Sequence, residues 1–233
     1  MIHAPGRSAG SLGLVFVKIC GITSTDDALL ATALGADAVG FVMAPSPRRI
    51  APPRVEEIVR RLPPGVLTVG VFRNEAPQRV IELVNRCGLK AAQLHGQESI
   101  AGTQQVRDEV PVVIKAFPGN DEALALAHRY GADLVLVDSD TPGSGRIFDW
   151  SLAEGAPSGI RLILAGGLNP DNVATAIDKV RPWGVDVSSG VEVAPGRKDP
   201  ARLRAFITTV RSVQPAPPAQ SDIDDAPYDW QRA

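Results

Sequence analysis

The chain has 233 residues, with 24 Lys and Arg against 26 Asp and Glu, and the resulting charge of −2 argues against a general polyanion binder. At 44% hydrophobic residues it is too apolar for disorder, and a chain of this length can bury about 70% of its unfolded surface. Its 22 Gly and 20 Pro are an excess that only their positions can explain. No apolar run approaches the roughly 18 residues of a membrane helix, and the opening MIHAPGRSAGSLG lacks the apolar stretch of a signal peptide. The expectation is a cytoplasmic protein with no membrane and no nucleic-acid partner. Cys20 and Cys87 make no disulfide framework, and with three scattered His they offer no metal site.

Taken in order, short apolar runs alternate with helical spacings. Gly13 precedes LVFVK, and Thr25 opens DDALLATAL; Gly35 precedes ADAVGFVM, and Pro52-Pro53 lead into RVEEIVRRL. Gly65 precedes VLTVGVF, Ala76-Pro77 lead into QRVIELVNR, and Gly88 precedes LKAAQL, after which the polar stretch from Glu98 to Asp108 gives the weakest helix. Pro111 precedes VVIKAF, Asp121 opens EALALAHRY, Gly131 precedes ADLVLVD, and a short helix is expected after Asp149. Gly159 then precedes IRLILA, Asn169-Pro170 opens DNVATAIDKV, Gly184 precedes VDVSS, and Asp199-Pro200 opens ARLRAFITTV.

Runs that are apolar almost throughout read as strands buried on both faces of a parallel sheet. Pro in the first helical turn costs no hydrogen bond, and the glycine before each strand is expected to be a left-handed helix cap. Eight strand-helix units of roughly 25 residues are the arithmetic of a single (β/α)8 TIM barrel, with an open doubly wound sheet as the alternative. The barrel is expected over 14–213, after an extension at 1–13 and before a Pro- and Asp-rich tail at 214–233. Without the four Asp and one Arg of that tail, the body carries +1.

Active sites of such barrels form where the strands end. Those ends carry Lys18-Ile19-Cys20-Gly21, Pro45-Ser46-Pro47-Arg48-Arg49, Arg73-Asn74, Gln93-Leu94-His95-Gly96, Lys115 before Phe117-Pro118-Gly119, Asp138-Ser139, Gly166-Gly167 and Asp186-Val187-Ser188-Ser189-Gly190. A phosphate site is expected from Gly166, Gly167, Ser188, Ser189 and Gly190, which offer exposed N–H groups and hydroxyls after the seventh and eighth strands. Gln93 and His95 are expected to line the pocket, and Cys87 to be an inert buried thiol beside its helix cap.

The ordered motifs VKICGIT, DAVGFVMAPSPRRI, VGVFRNE, AAQLHG, GSGRIFDW, LAGGLNPDNV, GVDVSSGVE and PGRKD resemble those of the phosphoribosylanthranilate isomerase family of tryptophan biosynthesis, from about residue 14 to 212. The resemblance implies an Amadori rearrangement of N-(5′-phosphoribosyl)anthranilate, a small phosphosugar substrate, without metal or organic cofactor. It implies Cys20 as general base, Asp138 as general acid, and Arg48 on the anthranilate side. Asp186 takes a supporting role, either as a charge that raises the pKa of Asp138 or as an anchor for the sugar hydroxyls. Pro142 stands where many relatives carry a first Gly, ahead of Gly143-Ser144-Gly145. A monomer and a homodimer both fit. The histidine-pathway isomerase, with two aspartates, is disfavoured by Cys20, and a non-catalytic phosphate-binding barrel by the joint presence of Cys20, Asp138 and Arg48.

Overall fold

The structure, a computed structural model, describes residues 14–119, 121–138 and 159–213. Eight parallel strands close into a barrel in chain order: β1 (Phe16–Cys20), β2 (Ala38–Val42), β3 (Leu67–Phe72), β4 (Ala91–Leu94), β5 (Val112–Pro118), β6 (Leu134–Asp138), β7 (Leu162–Leu164) and β8 (Gly184–Val187). Helices α1 (Thr25–Ala33), α2 (Pro52–Val59), α3 (Pro77–Cys87), α4 (Ile100–Arg107), α5 (Val173–Val180) and α6 (Pro200–Ser212) lie between or after them. The closing seam pairs β1 with β8, with Phe16 opposite Gly184 and Lys18 opposite Asp186.

Closure divides the apolar residues between two cores, and the alternation of side chains along a strand decides which residue goes where. Phe16, Ala38, Leu67, Val69, Ala91, Val112, Ile114, Leu134, Leu136 and Ile163 fill the barrel itself. Their odd neighbours, such as Val17, Ile19, Val39, Val113, Val135 and Val185, pack outward against the helices. The runs look unbroken in the sequence because both faces are dry. Lys18, Cys20, Gln93, Asp138 and Asp186 keep the inward phase of Phe16, Ala91, Leu136 and Gly184, so the same alternation brings them inside, nearer the C-terminal ends.

The helix starts follow their caps. Ser24 accepts from Asp27 N, Ser99 from Gly102 N, and Asp199 from Ala201 N and Arg202 N, while Pro52, Pro77 and Pro200 occupy first-turn positions. The polar stretch after Glu98 does form α4. The segment opened by Asp121 is a 3-10 helix, Glu122–Tyr130, rather than an α-helix. Helix α5 begins three residues later than Asn169-Pro170 suggests, because Asn169 Oδ1 accepts from Asp171 N and Asn172 N and holds the chain in a turn first. The helix expected after Asp149 lies outside the described residues.

The rule of a left-handed glycine before every strand needs correction. Gly35, Gly88, Gly131 and Gly159 have positive φ, but Gly65 and Gly184 do not, and Gly13 lies outside the described residues. Helix α5 ends instead on Arg181 at φ 50°. Gly184 is needed for space: a Cβ there would lie 3.0 Å from Phe16 Cβ and 3.0 Å from Phe16 O. Phe16 also stacks on Trp183 with ring centroids 4.6 Å apart, so this packing plugs the N-terminal end of the barrel. On that same end Arg211 of α6 donates to Val15 O, Gly35 O and Asp37, tying the last helix to the first two strands.

Phe16 is 4% exposed in the barrel floor, and Phe16→Ala should lower stability by about 3–5 kcal/mol, read from the urea midpoint. An unchanged midpoint would show that the floor collapses to fill the space.

Candidate active site

A cavity of about 990 Å³ opens at the C-terminal ends of the strands. Cys20, Arg48, Gln93 and His95 line it together with Asp138, Asp186 and Ser188. The structure thus gathers every expected catalytic and substrate residue on one surface. Cys20 at the end of β1 and Asp138 at the end of β6 face in from strands three places apart around the ring. Of the expected phosphate residues only Ser188 lines this cavity. Gly166, Gly167, Ser189 and Gly190 lie beside it in two adjoining loops, where a Cβ on Gly190 would fall 1.9 Å from Leu168 O. Any side chain at Gly190 would push the two loops apart.

Cys20 is 8% exposed, and burial pushes its thiol above the ordinary value. Lys18 draws it back down, Asp186 opposes that, and Lys198 adds a further pull. The positive charge that opposes burial comes from these two lysines. Lys18 is fully buried and donates to Asp186 Oδ1 at 2.9 Å. Burial works against its charged form, but Asp186 first, and then Cys20, hold its pKa above the usual lysine value. Asp186 is thereby paired with Lys18.

Asp138 faces His95 instead, with Oδ2 3.3 Å from Nε2. Gln93 Nε2 lies 2.8 Å from His95 Nδ1, and an amide NH2 can only donate. In this amide orientation Nδ1 accepts, so the proton of a neutral ring sits on Nε2 and points toward Asp138. Gln93 Oε1 and Ser188 Oγ are buried without hydrogen-bond partners among the described residues. Buried polar atoms of this kind are costly unless satisfied, and both belong to residues on the cavity wall.

Arg48 is held by a fork. Its Nε donates to both oxygens of Glu192 at 3.0 Å and its Nη2 to Oε2 at 2.8 Å. Glu192 belongs to strand β9 (Glu192–Ala194), which pairs antiparallel with β10 (Arg197–Lys198). Lys198 Nζ donates to the other side of Glu192 at 2.9 Å, to Ser188 O at 3.2 Å and to Cys20 O. This small hairpin therefore fixes Arg48, the backbone of Cys20 and the loop after β8 at once. Burial works against the Glu192 carboxylate, but Arg48 and Lys198 outweigh it and hold its pKa below the ordinary value.

Lys115 brackets His95 in a similar way. Its Nζ donates to Leu94 O, Gly96 O and Glu98 Oε2, the last at 2.8 Å. Lys198, Glu192 and Glu98, and the roles of Lys18 and Lys115, were not identified from the sequence. Lys18 had a signal: a lysine in the middle of FVKIC, in phase with Cys20, has to point into the barrel. Glu192 and Lys198 sit inside the quoted GVDVSSGVE and PGRKD motifs, but only the hairpin shows what they hold. Pro142 and Gly143-Ser144-Gly145 lie outside the described residues.

A closed parallel barrel that gathers a thiol, a carboxylate facing an imidazole, and a forked guanidinium at one mouth has the framework of an acid–base enzyme for a polar small molecule. Residues 17–209 match the family model of N-(5′phosphoribosyl)anthranilate (PRA) isomerase, and the chain belongs to that family. It is 50% identical over 205 residues to the N-(5′-phosphoribosyl)anthranilate isomerase of Desulforudis audaxviator, covering 85% of this chain and 98% of the relative. The fold is similar to the crystal structure of the phosphoribosyl anthranilate isomerase from Thermus thermophilus, with TM-score 0.80, 44% identity, and coverage of 85% of this chain and 99% of that one. It is also similar to a phosphoribosyl anthranilate isomerase in complex with reduced 1-(o-carboxyphenylamino)-1-deoxyribulose 5-phosphate, with TM-score 0.74, 43% identity, and coverage of 84% and 98%. Among the described residues no helix is long and apolar enough to cross a membrane.

Glu192 and Lys198 are buried partners, so Glu192→Gln should cost about 3–5 kcal/mol at neutral pH. A carboxyl with a depressed folded pKa contributes stability that is complete above its unfolded value of about 4.3 and lost as the pH falls through the lower folded one. The gap between wild type and Glu192→Gln should therefore close as thermal melts are taken into that acid range. A gap that stays constant with pH would show that the charge of Glu192 is not what stabilises the hairpin.

Proposed function

We propose that the chain converts N-(5′-phosphoribosyl)anthranilate into 1-(2-carboxyphenylamino)-1-deoxyribulose 5-phosphate, with Cys20 as general base and Asp138 as general acid. The observation that carries this reading is the pair itself: a thiol and a carboxyl, both facing one cavity, from strands three places apart in a closed ring.

Asp138 gives its proton to the furanose ring oxygen, the bond from that oxygen to C1 breaks, and the anthranilate nitrogen lone pair forms the Schiff base. Cys20 as thiolate takes the proton from C2, the electron pair moves into the C1–C2 bond, and the iminium becomes an enolamine. Tautomerisation to the ketone returns a proton to C1. Every step is a proton transfer with bond rearrangement inside the substrate, so the electrons balance within one molecule.

Arg48 receives the anthranilate carboxylate with guanidinium N–H groups that Glu192 leaves available. Gln93 Oε1 and the Asp186 carboxylate take sugar hydroxyls, and His95 keeps Asp138 oriented. The phosphate rests on the N–H groups and hydroxyls of Gly166, Gly167, Ser188, Ser189 and Gly190, at the loops where barrels commonly bind it. The catalytic domain is residues 14–213. Cys20 and Cys87 are both free, and a base that must stay reduced suits the cytoplasm.

Cys20→Ala and Asp138→Asn should each lower turnover by about 10²- to 10⁴-fold while substrate still binds, followed through the loss of anthranilate-type fluorescence. Undiminished turnover in either variant would remove that residue from its role. Because burial raises the Cys20 thiol, and Lys18 only partly offsets it, kcat should climb with pH as the thiolate forms. A profile flat from weakly acid to weakly alkaline pH would count against a thiol base.

A further inference from the structure

Lys18 is a charged side chain with no exposure at all, in a position that substrate binding alone does not explain. It sits two residues before Cys20 on the same inward phase of β1, and it lies opposite Asp186 in the pairing of β1 with β8. Taking a cation out of water is costly, and replacing such a pair by apolar side chains is often neutral or stabilising. Barrel stability alone is therefore a weak reason for a Lys–Asp pair at this depth.

The floor beneath Cys20 shows where that charge acts. Gly40 on β2 is the residue paired with Cys20, and a methyl group on it would lie 3.0 Å from Cys20 Sγ and 3.2 Å from Lys18 Nζ. The sulfur and the ammonium thus share the space that a side chain would fill, within about 6 Å of each other, the range over which a cation stabilises a neighbouring anion. Among the described residues the other charges acting on the thiol are Asp186 from β8 and Lys198 from β10, and Lys198 is already bound to Glu192. Lys18 is therefore the cation placed directly against the sulfur.

We infer that Lys18 is a positioning residue for the base: held by Asp186 beside Cys20, its ammonium supplies the local positive charge that lets the buried thiol give up its proton. The inference rests on the reading of Cys20 as the base. Its chemistry is a redistribution of one proton. Cys20 releases it to solvent before the substrate binds, and the thiolate beside Lys18 then accepts the C2 proton. Asp186 has two opposed effects in this arrangement, since it keeps Lys18 charged and in place while its own negative charge disfavours the thiolate.

Those opposed effects give the test. The titration of Cys20 is read from thiolate ultraviolet absorbance, as the difference between each protein and the same protein carrying Cys20→Ala, and needs no substrate. In the Lys18→Met, Asp186→Asn double variant, which leaves no unpaired buried charge, the thiol titration should move up by about one pH unit or more. In Asp186→Asn alone, which keeps the lysine, the thiol should titrate lower than in the double variant, because Lys18 is the one difference between the two. A thiol that titrates alike in these two variants would overturn the inference. Should the double variant fail to fold, Lys18→Met in the otherwise unchanged protein is read against wild type, with an upward shift expected and an unmoved thiol overturning the inference. The acid limb of kcat against pH should follow the thiol in each active variant. If the thiol moves and that limb does not, Lys18 keeps its hold on the thiol and the assignment of Cys20 as base fails instead.

Discussion

Lys18 and Asp186 meet where β1 joins β8, and most of the site is arranged around that pair. A fully buried lysine keeps its charge at a lower cost with an anion at hydrogen-bond distance, and the largely buried Asp186 gains from a cation in the same way. Opposite positions in a parallel pair bring them together as the barrel closes. The polar layer this creates sits directly above the apolar filling of Phe16, Ala38 and Leu67. Cys20 occupies the next inward step of β1 and inherits a place beside the pair.

Two further clusters extend the same principle to the rim. Lys198 and Glu192 hold Arg48 and the carbonyl of Cys20, while Lys115 and Glu98 hold the carbonyls on either side of His95. In each, a buried lysine is neutralised by one carboxylate and spends its remaining donors on backbone oxygens. Cys20 and His95 are thus fixed through main-chain carbonyls at or beside them, and Arg48 through its side-chain fork with Glu192. The loop after β8 is held both by Lys198 at Ser188 O and by the close approach of Gly190 to Leu168 in the loop after β7.

The barrel was readable in the sequence because its strands are dry on both faces and its helices begin on Ser, Asp and Pro signals. Phase within FVKIC and GVDV likewise marks which polar residues enter the mouth. What escaped is what depends on contact between distant segments. Nothing local in the chain says that Glu192 grips Arg48 with three hydrogen bonds, or that Asp186 is taken up by Lys18 and leaves Asp138 to His95. Caps were only half legible for a related reason. Gly88 and Gly131 end their helices with left-handed residues, whereas Gly184 is glycine because Phe16 crowds it from the neighbouring strand.

The seam between β1 and β8 also sets an order of events during synthesis. Lys18 leaves the ribosome 168 residues ahead of Asp186, so for most of translation it has no carboxylate from β8 and no enclosed place to go. A half-made barrel that buried it would leave the cation without this carboxylate, a cost that disfavours burying the first strand before its partner is made. Arg211, later still in the chain, then ties α6 across Val15, Gly35 and Asp37 at the opposite end of the same strands. Completion of the ring and completion of the charge pair are one event, and a chain cut short before β8 has neither.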